Sequence, residues 1–269
     1  MPEWQNAMEV FKLLEKSNCR QCNQPTCLAF AAAVFKGQMT LCDCPRLDPQ
    51  TASFRPAASA VETDNDIEQA MAQLKARVSQ VNLEAAARRL DGQFSNGKLT
   101  LKILGKDFSV DNKGRLSSDI HVHAWVAVPF LNHVLEGKGG DISGEWVPFR
   151  ELPNGRTWLR LFHQRGEKPL KRVADLYPDL FSDMVDLFNG RPAPNHYQAD
   201  ISLVLYPLPK LPLLICYWKA EEGLESDLTL FFDARAEDHL PIENLFGLTT
   251  GLVRMFENIA RRHGVPMDP

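Results

Sequence analysis

Four cysteines near the start of the chain have a spacing that strongly constrains how this region folds. They are Cys19, Cys22, Cys27 and Cys44, in the pattern Cys-x(2)-Cys-x(4)-Cys-x(16)-Cys, and Pro45 follows the last of them. Thiolates are soft ligands that bind iron and zinc, and short loops between them let several sulfurs converge on one centre. The spacing therefore predicts a metal centre with three ligands from one tight loop and the fourth from a returning segment.

The segment between the third and fourth cysteines is rich in alanine and predicts a short helix over residues 28–36. Gly37 follows it and suits the position just after a helix end. Another helix is expected over residues 6–15, ahead of the cysteine loop. A helix of about ten residues rises roughly 15 Å, so the chain must turn back for Cys44 to complete the site.

Iron and zinc are both candidates for this centre. Structural zinc usually takes paired Cys-x(2)-Cys knuckles, whereas a single knuckle, a third cysteine after four residues and a final Cys-Pro favour iron and sulfide. Disulfide bonds are the remaining alternative. Cys42 has three interpretations: a free thiol, which we favour, a ligand in an altered cluster, or a redox-sensitive bystander. Cys216 lies in an apolar run and is interpreted as a small core residue.

Composition argues against several classes of protein. The 269 residues carry a net charge of −4, which offers no electrostatic footprint for nucleic acid. There is no apolar run of about 18 residues that could span a membrane, and the first residues lack the features of a signal peptide. Clustered cysteines that are not expected to form disulfides then indicate a reducing cytoplasm.

The chain is expected to consist of a small cluster domain at residues 1–47, a linker at 48–62 and a larger domain at 63–269. The linker assignment rests on a stretch rich in proline, alanine and serine that has no periodic pattern. The larger segment, about 200 residues, is long enough to bury a substantial core of its own.

The larger domain alternates between helical and strand-like patterns. Apolar residues recur at spacings of four and three, which predicts one helix over residues 64–90. A strand meander is expected at 98–110 and a helix at 121–135, with Pro129 in its middle. An aromatic loop at 143–155 and helices near 156–165 and 178–189 follow.

The last third of the chain predicts three strands and a long helix. The strands are expected at residues 200–206, 211–218 and 228–232, and the helix at 241–262. The second of these strands is apolar on both faces, which indicates a central strand covered on both sides. The fold class is therefore predicted as α+β: a small helical iron–sulfur domain plus a larger domain with an antiparallel sheet packed by helices.

The usual enzyme signatures are absent from the larger domain. It has no Gly-x-Gly-x-x-Gly, no phosphate-binding Gly-Lys-Ser/Thr loop and no Gly-x-Ser-x-Gly elbow, so whether it is catalytic stays open. His121 and His123 could donate two imidazoles from one face of a strand, but a solvated pair is favoured. Four carboxylates are expected in the turn between the second and third strands of the last third, at the same end as Asp200: Glu221, Glu222, Glu225 and Asp227. A solvated acidic turn is favoured for them over a catalytic cluster.

One loop has the composition of a binding surface. It contains Trp146, Phe149, Arg150 and Glu151, which we predict as cofactor-binding residues. Aromatic side chains and an Arg–Glu pair can line a pocket for a planar cofactor or form a docking surface. The alternative is a structural loop whose aromatic side chains fill the core.

Residues 5–47 resemble a known family. The stretch from Asn18 to Ala31, with Lys36-Gly37 and Asp43-Cys44-Pro45, resembles the four-cysteine domain that carries a [4Fe-4S] cluster in the large subunit of the corrinoid iron–sulfur protein. The resemblance implies that Cys19, Cys22, Cys27 and Cys44 hold such a cluster. It also implies an anaerobic source and a corrinoid cobalt as the electron acceptor.

The larger domain resembles the domain-of-unknown-function family numbered 3786. The likeness covers roughly residues 65–262 and includes Trp146-x-x-Phe149-x-Glu151-Leu152-x-x-Gly155, Trp218 and Leu230-Phe231-Phe232-Asp233. Members of that family often follow the same cluster domain in anaerobic bacteria and archaea. The family implies no established activity.

Together these observations predict a cytoplasmic [4Fe-4S] protein of anaerobic metabolism. Its expected role is one-electron transfer to a redox partner protein or to a bound cofactor such as a corrinoid, with the larger domain recognising the acceptor. The alternative hypothesis is a non-catalytic sensor or assembly adaptor, whose cluster stabilises or switches an interaction surface.

Overall fold

The structure is a computed structural model that describes residues 7–22, 24–35, 39, 41–47, 64–177, 179–194 and 196–266; the side chains of Cys42 and residues 64–66 are not described. The expected linker at 48–62 and the helix-ending Gly37 lie outside the described residues. The chain divides into two compact units between Glu68 and Gln69.

The first unit is built on two short helices. Helix α1 is Ala7–Lys12 and α2 is Cys27–Phe35, which confirms both expected helices. Helix α2 begins at Cys27 because the hydroxyl of Thr26 accepts a hydrogen bond from the Ala29 N–H at 3.0 Å, an N-cap arrangement. The helices pack through a small core of six buried residues: Val10, Leu14, Phe30, Ala31, Val34 and Leu41.

Seven further helices lie in the rest of the described chain. They are α3 Asp64–Val78, α4 Leu83–Arg89, α5 Ala124–Glu136, α6 Gly155–Phe162, α7 Lys168–Leu176, α8 Leu180–Asp186 and α9 Ile242–Arg262. A π-helical turn, His163–Glu167, joins α6 to α7 without a break. Among the residues described, no helix is both long enough and apolar enough to cross a membrane.

The prediction of a single helix over residues 64–90 is wrong, because the helix is interrupted between α3 and α4. The Ser79 hydroxyl donates to the Ala76 carbonyl at 2.7 Å, and the Asn82 side chain accepts from the Ala85 N–H at 3.0 Å. Both helices bury apolar residues in the same core, including Val78 and Leu83. The apolar periodicity therefore continues across the break and conceals it.

We expect Asn82→Ala to lower the free energy of unfolding of the second unit by about 1 kcal/mol, because it removes the N-cap of α4. Urea unfolding followed by far-ultraviolet circular dichroism measures the change. Gln80→Ala, an exposed substitution just ahead of the cap, is the control and should change stability by less than about 0.5 kcal/mol. Equal stability of the two variants would contradict the capping role.

A four-stranded antiparallel meander confirms the expected strand pattern. Its strands pair in the order of the chain: β1 Gln93–Ser95, β2 Lys98–Ile103, β3 Lys106–Asp111 and β4 Leu116–Ser118. Leu104 and Gly105 connect β2 to β3, both with positive φ (49° and 79°). A tight hairpin turn needs positive φ at its two central positions, which explains the glycine.

A five-stranded antiparallel sheet forms the centre of the second unit. Its strands are β5 Trp146–Pro148, β6 Arg191–Pro192, β7 Ile201–Leu208, β8 Leu211–Trp218 and β9 Asp227–Asp233. The order is β5-β9-β8-β7-β6, so β8 is central, as its apolar sequence predicted. With helices packed on this sheet, the α+β fold class is confirmed.

The two faces of the sheet lie in different apolar clusters. Leu213 and Phe232 point into the main core with α9 residues such as Leu248. On the opposite face, Leu214 and Phe231 form a separate cluster with partly buried residues that include Trp146, Ala193, Ala199, Tyr206 and Trp218. The sheet is therefore covered on both sides.

Two other expectations for this region need correction. The loop expected at 143–155 contains β5, an edge strand, and a 3₁₀ turn at Phe149–Glu151. The helix expected to end near 165 continues to Leu176, because the π turn carries the chain past Gly166 and Pro169. Glycine and proline usually end helices, which is why the sequence pattern indicated a stop there.

Candidate metal centre

All four predicted ligands line one small cavity in the first unit. Cys19, Cys22, Cys27 and Cys44 are half-buried free thiols around it, and Phe30 lies against the same space. The loop before α2 contributes the first two cysteines, and the helix itself begins with the third. The fold of the first unit therefore brings the thiols together as the spacing predicted.

The backbone before the second cysteine has an unusual conformation. Lys16, Asn18 and Arg20 all have positive φ, at 60°, 50° and 61°, and alternate with residues of negative φ. Positive φ is uncommon in residues other than glycine and marks a tightly wound loop. Within this loop, the backbone N–H groups of Asn18 and Gln21 are hydrogen-bond donors to the sulfurs of Cys27 and Cys19, respectively.

Asn18 fixes this loop to the start of α2. Its backbone N–H donates to the Cys27 sulfur at 3.3 Å, and its side-chain carbonyl accepts from the Cys27 N–H at 2.8 Å. The two bonds hold Cys27 in register with the loop and direct a donor at its sulfur. Hydrogen bonds to cysteine sulfur are one of the means by which proteins tune iron–sulfur sites.

The surroundings of Cys19 favour the ionised form of its thiol. The backbone N–H of Gln21 lowers the pKa of its thiol, helped by the Ser17 side chain and the positive charge of Arg46, while burial opposes them. Arg46 also donates to the Gln21 side chain at 3.3 Å and lies 3.5 Å from a Glu15 carboxylate oxygen. A lowered pKa favours the thiolate, which is the form that binds metals.

A short 3₁₀ turn positions the fourth cysteine. The turn is Leu41–Asp43, and the Cys44 N–H donates to the Leu41 carbonyl at 3.2 Å. Leu41 is 2% exposed and belongs to the core between α1 and α2. Because Leu41 is held there, the returning segment is fixed with Cys44 at the cavity.

The donor set fits an iron–sulfur cluster. The four cysteines line one cavity, and in a cluster each of several irons takes its own thiolate. The assignment of these cysteines as ligands stays a prediction.

The four residues predicted to bind a cofactor do not share one surface. Trp146 is half-buried on the outer face of the five-stranded sheet, whereas Phe149 is buried in the main core and stacks on Phe162 at 3.9 Å between ring centroids. Arg150 and Glu151 are exposed and form an ion pair at 3.6 Å. Their role in binding a cofactor stays a prediction.

The other candidate groups are exposed. His121 and His123 lie just before α5 rather than in a strand, so the expected strand geometry is wrong, although their rings are only 4.3 Å apart between centroids. The acidic turn after β8 is exposed, and Asp200 accepts a hydrogen bond from the Lys219 N–H at 2.8 Å. Both placements agree with the favoured interpretation of solvated groups.

A buried polar cluster in the second unit escaped the sequence reasoning. His133 and His239 are 0% and 1% exposed, and His133 Nδ1 lies 2.9 Å from the His239 carbonyl oxygen. Buried atoms without a hydrogen-bond partner in the described structure are Arg89 Nε, His133 Nε2, Glu237 Oε1 and both ring nitrogens of His239. No sequence signal pairs these histidines, because they are 106 residues apart.

The fold and the site together define an iron–sulfur protein, with a helical four-cysteine unit followed by an α+β domain. Residues 14–46 match a family described as "Putative Fe-S cluster". Residues 82–255 match the family described as "Domain of unknown function (DUF3786)". The chain therefore belongs to the DUF3786 family and has the iron–sulfur domain ahead of it.

Relatives of known name match a short stretch of the chain. The chain is 49% identical over 41 residues to the acetyl-CoA decarbonylase/synthase complex subunit gamma of Methanothermobacter thermautotrophicus, covering 15% of this chain and 9% of that protein. It is 40% identical over 53 residues to the corrinoid/iron-sulfur protein large subunit of Moorella thermoacetica, covering 20% and 12%. The chain thus spans about a tenth of these relatives. No solved structure matches it significantly.

Proposed function

We propose that the chain binds one [4Fe-4S] cluster through Cys19, Cys22, Cys27 and Cys44 and transfers single electrons to or from a partner. The observation that carries the proposal is the single cavity lined by all four thiols. Four thiolates are the ligand set of a cubane cluster, and such a cluster supplies a reversible one-electron change.

The surroundings of the thiols are compatible with a redox site. Backbone N–H groups of Asn18 and Gln21 point at the sulfurs of Cys27 and Cys19, respectively. Donors of this kind stabilise the more negative, reduced state of a cluster and so raise its potential. The half-buried position of the cysteines also leaves the site near the surface, where a partner can approach.

The acceptor is a protein or a bound cofactor that the second unit recognises. Two relatives have names that place them in an acetyl-CoA decarbonylase/synthase complex and in a corrinoid/iron-sulfur protein. A corrinoid is therefore included among the proposed acceptors. Because the likeness covers a fifth of the chain or less, we propose the acceptor as a class and not as a particular molecule.

Protein purified without oxygen is expected to contain about four irons and four sulfides per chain, because four thiolate ligands hold a cubane. Iron and acid-labile sulfide assays, with electron paramagnetic resonance after dithionite reduction, measure this. Exposure to air should bleach the brown colour. Stoichiometric zinc in place of iron under strict anaerobiosis would contradict the proposal.

A redox titration separates electron transfer from the sensor or adaptor alternative. Electron transfer requires reversible one-electron reduction and re-oxidation by an added acceptor such as a viologen dye or a corrinoid. A cluster that is destroyed by reduction, or that cannot be reduced at all, would instead support a structural or sensing role.

A further inference from the structure

An open groove runs along the second unit between α7, α9 and the π turn that precedes α7. It consists of two adjoining cavities of about 840 and 480 Å³ that share four lining residues: Gln164, Pro169, Arg254 and Glu257. The π turn forms one wall. Such turns are rare and occur frequently at functional sites.

The groove is strongly basic in a chain whose net charge is −4. Among the described residues that line it, two are carboxylates, Asp175 and Glu257. Six cationic side chains line the same space: Arg165, Lys168, Lys171, Arg172, Arg254 and Arg261. A concentration of one sign of charge in a groove attracts ligands of the opposite sign.

Three of these six cations form no ion pair or side-chain hydrogen bond with the described residues. Lys171 lies 3.2 Å from Asp175, and Arg261 donates to the Asn258 side chain at 2.8 Å. Arg165, Lys168 and Arg254 have neither an ion pair nor a side-chain hydrogen bond within the described ranges. Their charges are therefore available to a ligand.

Glu167 holds the π turn in place from the other side. One of its carboxylate oxygens accepts a hydrogen bond from the Leu230 N–H at 3.3 Å, and the other lies 3.2 Å from His163 Nδ1. Glu167 thereby ties the turn to the sheet. Arg165 and Lys168, on either side of it in the chain, line the groove.

The groove is long, and its charges repeat at helical spacing. On α9 it is lined from Gly247 to Arg261 through residues three or four positions apart, a length of about 21 Å at 1.5 Å per residue. Arg165, Lys168 and Lys171 show the same spacing on the facing wall. This length exceeds a phosphate group and suits an extended ligand with several negative charges.

One end of the groove offers an apolar contact. Trp125 packs against Gly251, where an added Cβ would lie only 2.5 Å from the indole Cγ, and a Cβ at Gly247 would meet no atom within 4 Å. The small residues leave the helix backbone and the indole accessible from the groove. A ligand could therefore place an apolar side chain at this end.

We propose that this groove binds an acidic helical segment of a protein partner. Carboxylates at helical spacing would face the cations of α7 and α9, and an apolar residue near one end would contact Trp125. The proposal rests on the proposed function, because it names the class of partner that the second unit recognises. The overall negative charge of the chain disfavours nucleic acid as the occupant.

The test uses the full chain and a fluorescein-labelled helical peptide with glutamates at i and i+4 on one face and one leucine near its end. Fluorescence anisotropy at low salt measures the affinity. The groove variant combines Arg165→Glu, Lys168→Glu and Arg254→Glu, and should weaken binding at least about tenfold. A matched control with the same change of charge combines Lys98→Glu, Lys106→Glu and Lys113→Glu on the meander, and should change affinity less than about twofold.

A milder pair, Lys168→Gln with Arg254→Gln, keeps the test decisive if charge reversal disturbs folding; it should weaken binding at least about threefold. Equal weakening by the control variant would overturn the proposal. So would displacement of the peptide by tripolyphosphate or single-stranded DNA at equal or lower concentration.

Cluster reduction measured on the same samples separates the two proposals. A reducible cluster without peptide binding overturns the groove alone. Peptide binding by a chain that has no reducible cluster overturns the electron-transfer function and supports the groove.

Discussion

Substitution of Cys19, Cys22, Cys27 or Cys44 by alanine is expected to remove most of the bound iron, from about four atoms per chain toward zero. Each iron of a cubane takes one thiolate, so loss of one ligand leaves an iron without its protein anchor. Iron and sulfide assays on anaerobically purified variants measure the effect. The folding of the second unit, followed by its tryptophan fluorescence, should be unchanged.

The chain contains a matched control for this experiment. Cys216 is completely buried in the second unit, and burial raises the pKa of its thiol to about 11, so it stays protonated at neutral pH. Cys216→Ala should therefore retain the full iron content. Cys42→Ala should retain it as well, because the spacing assigns the fourth position to Cys44, which precedes the proline.

Comparison of Cys42→Ala with Cys44→Ala tests which cysteine is the fourth ligand. Equal loss of iron in the two variants would mean that the fourth ligand is wrongly assigned or that both thiols participate. Full iron content in all four of the ligand variants would reject the site itself. Loss of one iron, with a three-iron signal in the paramagnetic resonance spectrum, would identify that cysteine as the ligand of a single labile iron.

The first unit was predictable because its determinants are local. The cysteine spacing, the alanine-rich helix and the cap residue Thr26 all lie within a short stretch of chain. The two hydrogen bonds between Asn18 and Cys27 were not predicted. They depend on positive φ at Asn18, a backbone conformation that the sequence pattern does not reveal.

The larger unit was predictable where apolar patterns are strong and continuous. Strand β8 is apolar on both faces and is central, and α9 carries one long apolar stripe that packs in the core. The helix break before Asn82 was not predicted, because the apolar periodicity continues across it. The π turn was not predicted for the opposite reason: Gly166 and Pro169 indicated the end of a helix where the helix in fact continues.

Sites assembled from distant segments could not be predicted from the sequence. The basic groove combines α7 with α9, so its cations appear in the sequence as ordinary solvated helix faces. The contact between the two buried histidines could not be predicted for the same reason. His133 lies in an apolar helix, and only the fold places the His239 carbonyl beside its ring.

The buried His133 is expected to make the second unit sensitive to mild acid. Burial is the main cause that lowers its pKa, from 6.5 to about 4, although the hydrogen bond to the His239 carbonyl opposes the shift. The positive charge of Arg89 lowers it further, as does that of His239 when its ring is protonated. In the folded state the ring is therefore neutral at pH 6, with Nδ1–H donating to the carbonyl.

The sign of the pH effect follows from which state binds more protons. Between pH 6.5 and about 4 the unfolded chain binds a proton at this histidine while the folded chain does not. The free energy of unfolding therefore falls as the pH falls through this window, by about 3 kcal/mol in total for this group. Burial lowers the pKa of His239 as well, which acts in the same direction.

His133→Asn tests this dependence, because the asparagine amide can still donate to the His239 carbonyl but does not titrate. Urea unfolding at pH 7 and pH 4.5, followed by tryptophan fluorescence of the second unit, should show a much smaller loss of stability on acidification in the variant than in the parent. The smaller side chain lowers stability at both pH values, so the difference between them is the quantity to compare. His121→Asn, a change at an exposed histidine, should keep the parental dependence. If His133→Asn loses as much stability between pH 7 and pH 4.5 as the parent does, the acid sensitivity arises from a group other than His133.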